Sequence, residues 1–120
     1  MKKHLMVVDD SRMTEVQICQ LLEGSEYEVA AYCENGEEAI ERYEEVRPDL
    51  VIMDVIMPGI DGLETAQIIL EEHPEAKIVM MSSLDDEDTI HEAVTIGAKR
   101  FLHKPIGREV LLHALEQVMA

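Results

Sequence analysis

Four places in the 120-residue chain carry side chains that could do chemistry, and each closes a short strand-like run. Asp9 and Asp10 follow "LMVV" with no spacer, and Asp54 follows "LVIM". Ser82 and Ser83 follow "IVMM", and Lys104 and Pro105 follow "RFLH". Two neighbouring carboxylates at the edge of a core resist burial. At an effective dielectric of about 20, like charges about 4 Å apart repel by roughly 4 kcal/mol. Either both are solvated or a cation offsets them. Hard oxygen donors in a crowded negative site suit Mg2+, which takes one or two carboxylates, keeps several waters and accepts phosphate oxygens. His4, His73, His91, His103 and His113 show no paired spacing of the kind zinc uses. A carboxylate beside a divalent cation can also attack phosphorus and become an acyl phosphate. Phosphoryl transfer is then mostly positioning plus neutralisation of the three transferred oxygens. The metal, Lys104, and the Ser82 hydroxyl with nearby backbone N–H groups would each take one oxygen. Asp54 is the best-placed acceptor, which leaves Asp9 and Asp10 to hold the metal.

Each of these residues also has a plain reading. Adjacent acids after a strand make turns, and either Asp10 or Ser11 can cap a following helix. Asp54 could be a loop acid, Ser82 or Ser83 a loop hydroxyl, and Lys104 a surface lysine. Their joint occurrence at successive strand ends is what argues for a site.

The elements that must position them can be read from the patterning. Strands are expected at His4–Val8, Tyr27–Cys33, Leu50–Met53, Lys77–Ser82 and Arg100–His103. Segments of helical spacing lie between them. Gly36–Val46 puts Ala39, Ile40, Tyr43 and Val46 on one face, and Gly62–Glu72 does so with Leu63, Ala66, Ile69 and Leu70. Thr89–Gly97 aligns Ile90, Ala93 and Val94, and Gly107–Met119 aligns Val110, Leu111, Ala114, Leu115 and Val118. Ser11–Leu22 spreads Met13, Val16, Ile18, Cys19, Leu21 and Leu22 around much of its circumference, which suits a helix pressed between neighbours. Ile96 and Leu112 are read as facing outward. Asn35-Gly36, Pro48, Pro74 and Gly97 punctuate the segments. Five strand–helix units with short connections argue for an α/β fold, a parallel sheet with helices on both faces and right-handed crossovers. "LVIM" is apolar throughout, as a central strand buried on both sides should be. Such sheets bind ligands at the carboxyl ends of their strands, where the acids, hydroxyls and Lys104 lie.

Composition sets the outer limits. The length suits one domain, residues 1–120, and 47% apolar with 30% charged residues suits a globular core. Net charge is −16, from 26 acids against 10 Lys and Arg. That surface repels phosphate backbones, so direct nucleic acid binding is not expected, and partners should be neutral or basic proteins or cations. No run reaches transmembrane length, and the apolar stretch after His4 is too short for a signal peptide, so a cytoplasmic protein without membrane insertion is expected. Cys19 and Cys33 lack a CxxC spacing and are read as reduced thiols.

Taken together, "VVDDS" (7–11), "DVIMPGIDG" (54–62), "MSS" (81–83) and "KP" (104–105) resemble the receiver domain of two-component response regulators along the whole chain. The resemblance implies a flavodoxin-like three-layer sandwich with strand order 2-1-3-4-5. It implies Asp54 as phosphoacceptor, with Asp10, Asp54 and the Ile56 backbone carbonyl as direct Mg2+ ligands and Asp9 binding the metal largely through water. It implies Lys104 as the phosphoryl-pairing lysine, often followed by a cis proline, Ser82 as the switch hydroxyl and Phe101 as the switch aromatic. The phosphoryl donor would be a histidine on a sensor histidine kinase or a histidine phosphotransfer protein. Phosphorylation would then shift the face made by the fourth helix, fifth strand and fifth helix, where a downstream target protein binds. The reading is of a chemotaxis-regulator-like, stand-alone signalling protein rather than an enzyme. It catalyses only its own phosphotransfer and slow dephosphorylation. Positions that often align attacking water in the family are Ile56 and Leu84 here, both apolar, so slow phosphate loss is expected.

Four other readings stand beside this one. The chain could be a receiver cut from a larger regulator, or a degenerate receiver that acts as a fixed binding module. A haloacid-dehalogenase-like phosphohydrolase usually needs a second Asp two residues beyond the nucleophile, where Ile56 stands. A flavodoxin-like FMN protein would not offer Asp9-Asp10 to a phosphate, and the chain has no Trp to stack on a flavin.

Overall fold

The computed structural model describes residues 2–84 and 86–120. Five strands and five helices alternate: β1 (Lys3–Val8), α1 (Arg12–Leu21), β2 (Tyr27–Cys33), α2 (Gly36–Val46), β3 (Leu50–Asp54), α3 (Gly62–Glu72), β4 (Ile78–Ser82), α4 (Glu87–Ile96), β5 (Arg100–His103) and α5 (Arg108–Met119). All strand pairings are parallel, in the order β2-β1-β3-β4-β5. This is the expected sheet, with order reversing between β1 and β3.

Alternation of side chains across the pleat divides the core in two. Val51 and Met53 of β3 point to the side covered by α2, α3 and α4, where Ala39, Tyr43, Ala66, Ile69 and Ala93 pack. Leu50 and Ile52 point to the other side, against Ile18 of α1 and Leu111, Ala114 and Leu115 of α5. Every residue of β3 is buried, which accounts for its unbroken apolar run.

β2 contains an irregularity that the sequence did not advertise. From Leu5 to Met6, β1 advances one residue while β2 advances two, from Val29 to Ala31. The extra residue, Ala30, reverses the facing of everything after it. Tyr27 and Val29 therefore pack on the α1–α5 side, Ala31 and Cys33 pack on the α2–α4 side, and Tyr32 returns to the α1–α5 side.

Side-chain caps fix three helix starts. The Asn35, Asp61 and Asp86 side chains accept N–H bonds from Glu38, Glu64 and Thr89 at 2.8, 2.8 and 3.2 Å. The Asp86 cap starts α4 at Glu87, two residues before the position that apolar spacing alone suggests. Of the two residues that could cap α1, Ser11 holds the N-cap position but makes no side-chain cap bond.

Several facings differ from expectation. α1 is not pressed between neighbours: Met13 is 62% exposed, Val16 is also exposed, and Ile18 is the residue it buries. Val94 and Val110, assigned to buried faces, are 64% and 56% exposed. Ile96 and Leu112, assigned outward, pack against the two halves of the core. For the exposed residues, one-sided burial against the sheet admits a narrower apolar stripe than the sequence offers; for Ile96 and Leu112, the buried stripe is rotated from the face that spacing suggests. Cys19 and Cys33 are both free thiols, and burial, seconded by Glu15 and Glu38 respectively, pushes each up to about 11.

Two glycines hold the turn after β3. Gly59 has a positive φ of 80°, which favours glycine. Gly62 lies so close to β3 that a Cβ there would stand 1.9 Å from the Asp54 carbonyl oxygen. Its N–H donates to the Val55 carbonyl at 2.7 Å, seating the start of α3 directly on the end of β3. Gly62→Ala is expected to cost about 3 kcal/mol or more, because backbone rather than a flexible side chain must move. Gly107→Ala, where nothing lies within 4 Å of the added Cβ, should cost less than about 1 kcal/mol, and urea titration of both variants checks the difference.

Candidate functional site

The carboxyl ends of β1, β3, β4 and β5 lie at one edge, where the side chains of Asp9, Asp10, Asp54 and Lys104 come together. β1 stops at Val8, but the Asp9 N–H still donates to the Cys33 carbonyl at 3.0 Å. Asp9 thus continues the strand's path and is 1% exposed. Its Oδ1 accepts from the Ser11 N–H at 2.8 Å and its Oδ2 from Lys104 Nζ at 2.8 Å. Asp10, one peptide further, is exposed. Asp54 is the last residue of β3 rather than the first of the loop, pairs in register with Met81 and is 7% exposed. Carboxylate oxygens of Asp9, Asp10 and Asp54 all lie within 4.8 Å of one another.

Lys104 reaches back over this cluster from the residue after β5. Its ammonium is 2.8 Å from Asp9 Oδ2 and 3.5 Å from Asp54 Oδ2. The lysine backbone is tied down as well: its N–H donates to the Ser82 carbonyl at 2.8 Å, and the Lys104–Pro105 peptide is cis. Ser82 is the last residue of β4, 1% exposed, and its Oγ accepts from the Leu84 N–H at 3.0 Å. Ser83 is exposed and lines a cavity of about 240 Å3 between α1 and the β5–α5 turn. Ile56 and Leu84 are exposed near the cluster. Phe101 sits in β5 beside Met80, half-buried against the core on the α2–α4 side.

The charges do not balance. Burial raises the Asp54 pKa, Lys104 pulls it down, and the Asp9 charge raises it again, so that the net displacement is upward. Lys104 is also held above its usual value: burial disfavours its charge, but the Asp9 hydrogen bond and the Asp54 and Asp9 charges outweigh burial. The two shifts differ in meaning because the lysine's closer bond goes to Asp9. Asp54 is left with the longer contact and with a second carboxylate nearby. Two buried acids and one exposed acid facing one ammonium form an electron-rich, all-oxygen donor set, which fits a hard divalent cation and not a soft one. Among the described residues, this is the group of acids, histidines and cysteines close enough to hold a metal.

A family model described as the response regulator receiver domain matches residues 5–116. The chain belongs to the receiver domain family. This receiver is 39% identical to the chemotaxis protein CheY of Listeria monocytogenes over 113 residues, covering 94% of this chain and 95% of the relative. It is 35% identical to the chemotaxis protein CheY of Thermotoga maritima, covering 98% of each. Its fold superposes with a TM-score of 0.93 on a chain of the CheX-CheY-BeF3-Mg+2 complex from Borrelia burgdorferi, at 29% identity and covering 98% of this chain and 90% of that one. The receiver is therefore a signalling domain of the two-component, chemotaxis-like type rather than a conventional enzyme. No helix among its described residues is long and apolar enough to cross a membrane.

The sequence reading brought Asp9, Asp10, Asp54, Ser82 and Lys104 to one edge, and the receiver's strand ends meet there. It missed two contributors. Gly62 was visible only as part of a turn, and its approach to the Asp54 carbonyl needed the tertiary fold. Tyr32, whose hydroxyl donates to the Asp9 carbonyl at 2.8 Å, carried no signal beyond being a strand tyrosine.

The upward shift of Asp54 has a sign that can be checked. A folded-state pKa above the unfolded one means that the ionised carboxylate costs stability above the folded pKa, and that the cost disappears as pH falls to the ordinary carboxylate range. In EDTA at neutral pH, Asp54→Asn should be more stable than wild type by about 1 kcal/mol. Urea unfolding curves should show the advantage shrinking to nothing in acid.

Proposed function

We propose that this receiver accepts a phosphoryl group on Asp54 with Mg2+ bound by Asp9, Asp10, Asp54 and the Ile56 backbone carbonyl. The donor is a phosphohistidine on a sensor histidine kinase or a histidine phosphotransfer protein. The observation that carries this reading is the Lys104 ammonium lying 2.8 Å from Asp9 and 3.5 Å from Asp54 at the mouth of a three-carboxylate cluster. When bound, Mg2+ supplies charge neutralisation to the cluster and to the phosphoryl oxygens. An Asp54 carboxylate oxygen attacks the phosphorus; the P–O bond forms as the P–N bond breaks, and the imidazole leaves. Lys104 moves its attraction from Asp54 to a phosphoryl oxygen, while its bond to Asp9 keeps it in place. Ser82 exchanges its Leu84 N–H contact for the phosphoryl group. Exposed Met13, Ile56 and Leu84 give the donor protein an apolar rim to dock against.

Movement of Ser82 and turning of Phe101 then bias the α4–β5–α5 face, and the target is a protein rather than a nucleic acid, in keeping with the net charge of −16. Exposed Val94 and Val110 supply the apolar part of that face. Residues 1–120 act as one receiver domain, in the cytoplasm. The difference between a working switch and a fixed binding module is tested with a small-molecule phosphodonor. Incubation with acetyl phosphate and Mg2+ should add one phosphoryl mass to the wild type and none to Asp54→Asn. A wild type that never gains mass would favour the fixed module.

The lifetime of the product is set by what stands near Asp54. Ile56 and Leu84 offer attacking water no hydrogen bond, so radiolabelled protein should lose phosphate over minutes or longer. Leu84→Glu supplies an acceptor for the water and should shorten the half-life at least about threefold. A half-life of seconds that Leu84→Glu leaves unchanged contradicts this account of the two positions.

A further inference from the structure

We infer that Tyr32 is a positioning residue for the cation cup: its hydroxyl fixes the peptide between Asp9 and Asp10, and so sets where the Asp10 carboxylate stands. The inference rests on the reading of the cup as a divalent-cation site. Tyr32 Oη donates to the Asp9 carbonyl at 2.8 Å, joining residues 23 apart in sequence. That carbonyl and the Asp10 N–H belong to one planar peptide unit. Asp9 is already held by Cys33, Ser11 and Lys104 through its N–H and both carboxylate oxygens. The Asp10 side chain has no such ties: it is exposed and makes no hydrogen bond or ion pair among the described residues. Asp10 therefore projects from between two held peptides: the Asp9 carboxylate holds the one after it through the Ser11 N–H, and the phenol holds the one before it.

Tyr32 can do this because of the extra residue in β2. Without Ala30 out of register, position 32 would face α2–α4 and lie on the far side of the sheet from the β1–α1 turn. On its actual side, the Arg12 guanidinium lies 5.2 Å from the ring centre and covers it. The ring would stay packed if the hydroxyl alone were removed.

Cation choice separates positioning from general support. Mg2+ demands near-ideal octahedral geometry, whereas Ca2+ accepts six to eight oxygens in a flexible shell. A displaced Asp10 should therefore penalise Mg2+ more than Ca2+. The test is calorimetric titration of Mg2+ and of Ca2+ into the full chain as wild type, Tyr32→Phe and Tyr27→Phe, with thermal unfolding in EDTA confirming that each variant folds. Tyr32→Phe is expected to weaken Mg2+ binding about three- to tenfold and Ca2+ binding by less. Tyr27→Phe, at the other end of β2, is expected to change neither. A folded Tyr32→Phe that binds Mg2+ like wild type overturns the proposal, and so does an equal loss for both cations. A wild type that takes up neither cation overturns the reading of the cup itself, and the role of Tyr32 with it.

Discussion

Repulsion among three carboxylates, held together by the ends of two adjacent parallel strands, is the constraint around which this domain is organised. Asp9 and Asp54 are both nearly buried, and backbone bonds to Cys33 and Met81 hold the chain at each: the Asp9 N–H donates to the Cys33 carbonyl, and Asp54 pairs in register with Met81. One ammonium answers them, and it bonds more closely to Asp9 than to Asp54. The carboxylate with the longer contact is the one at the end of the central strand. An imbalance of this kind is costly for folding and useful for chemistry. It gathers an all-oxygen donor set at one edge and gives Asp54 the weaker share of the ammonium.

The surrounding structure limits how the imbalance can relax. Gly62 lets α3 begin against the Asp54 carbonyl, so the end of β3 cannot lift away. The Lys104 N–H bond to Ser82 ties the lysine's main chain to the end of β4. Ser82 and Lys104 are thereby linked through the backbone, at 2.8 Å. Phe101, three residues before the lysine and only half-buried, lies on the same strand. Fully packed cores resist graded movement, and a half-buried aromatic on an edge strand is a place where two arrangements can compete.

Much of this was legible in the sequence because the fold class ties chemistry to strand ends. β2, α2, α3 and β5 begin and end where patterning put them, since Asn35, Asp61 and turn residues mark their limits. The fully apolar "LVIM" gave the central strand. What escaped depends on neighbours. "YEVAAYC" has no glycine or proline to announce a bulge, so Tyr32 seemed to be an ordinary strand residue. Val94 and Val110 have the right spacing to be buried, but the sheet covers a narrower stripe of each helix. Met13 on α1 was misread for the same reason. Apolar spacing places the start of α4 two residues late because the Asp86 cap, a polar signal, sets it.

A divalent cation held by Asp9, Asp10 and Asp54 would convert the acidic cup from a liability into a source of stability. The most direct measurement is the urea unfolding midpoint as Mg2+ rises from zero to millimolar levels, in wild type and in Asp10→Asn. A ligand that binds only the folded state adds RT ln(1 + [L]/Kd) to its stability. The midpoint of the wild type should climb with the logarithm of Mg2+ concentration once the site fills, and that of Asp10→Asn should climb much less. A wild-type midpoint that ignores Mg2+, or a climb that Asp10→Asn reproduces in full, would contradict the account.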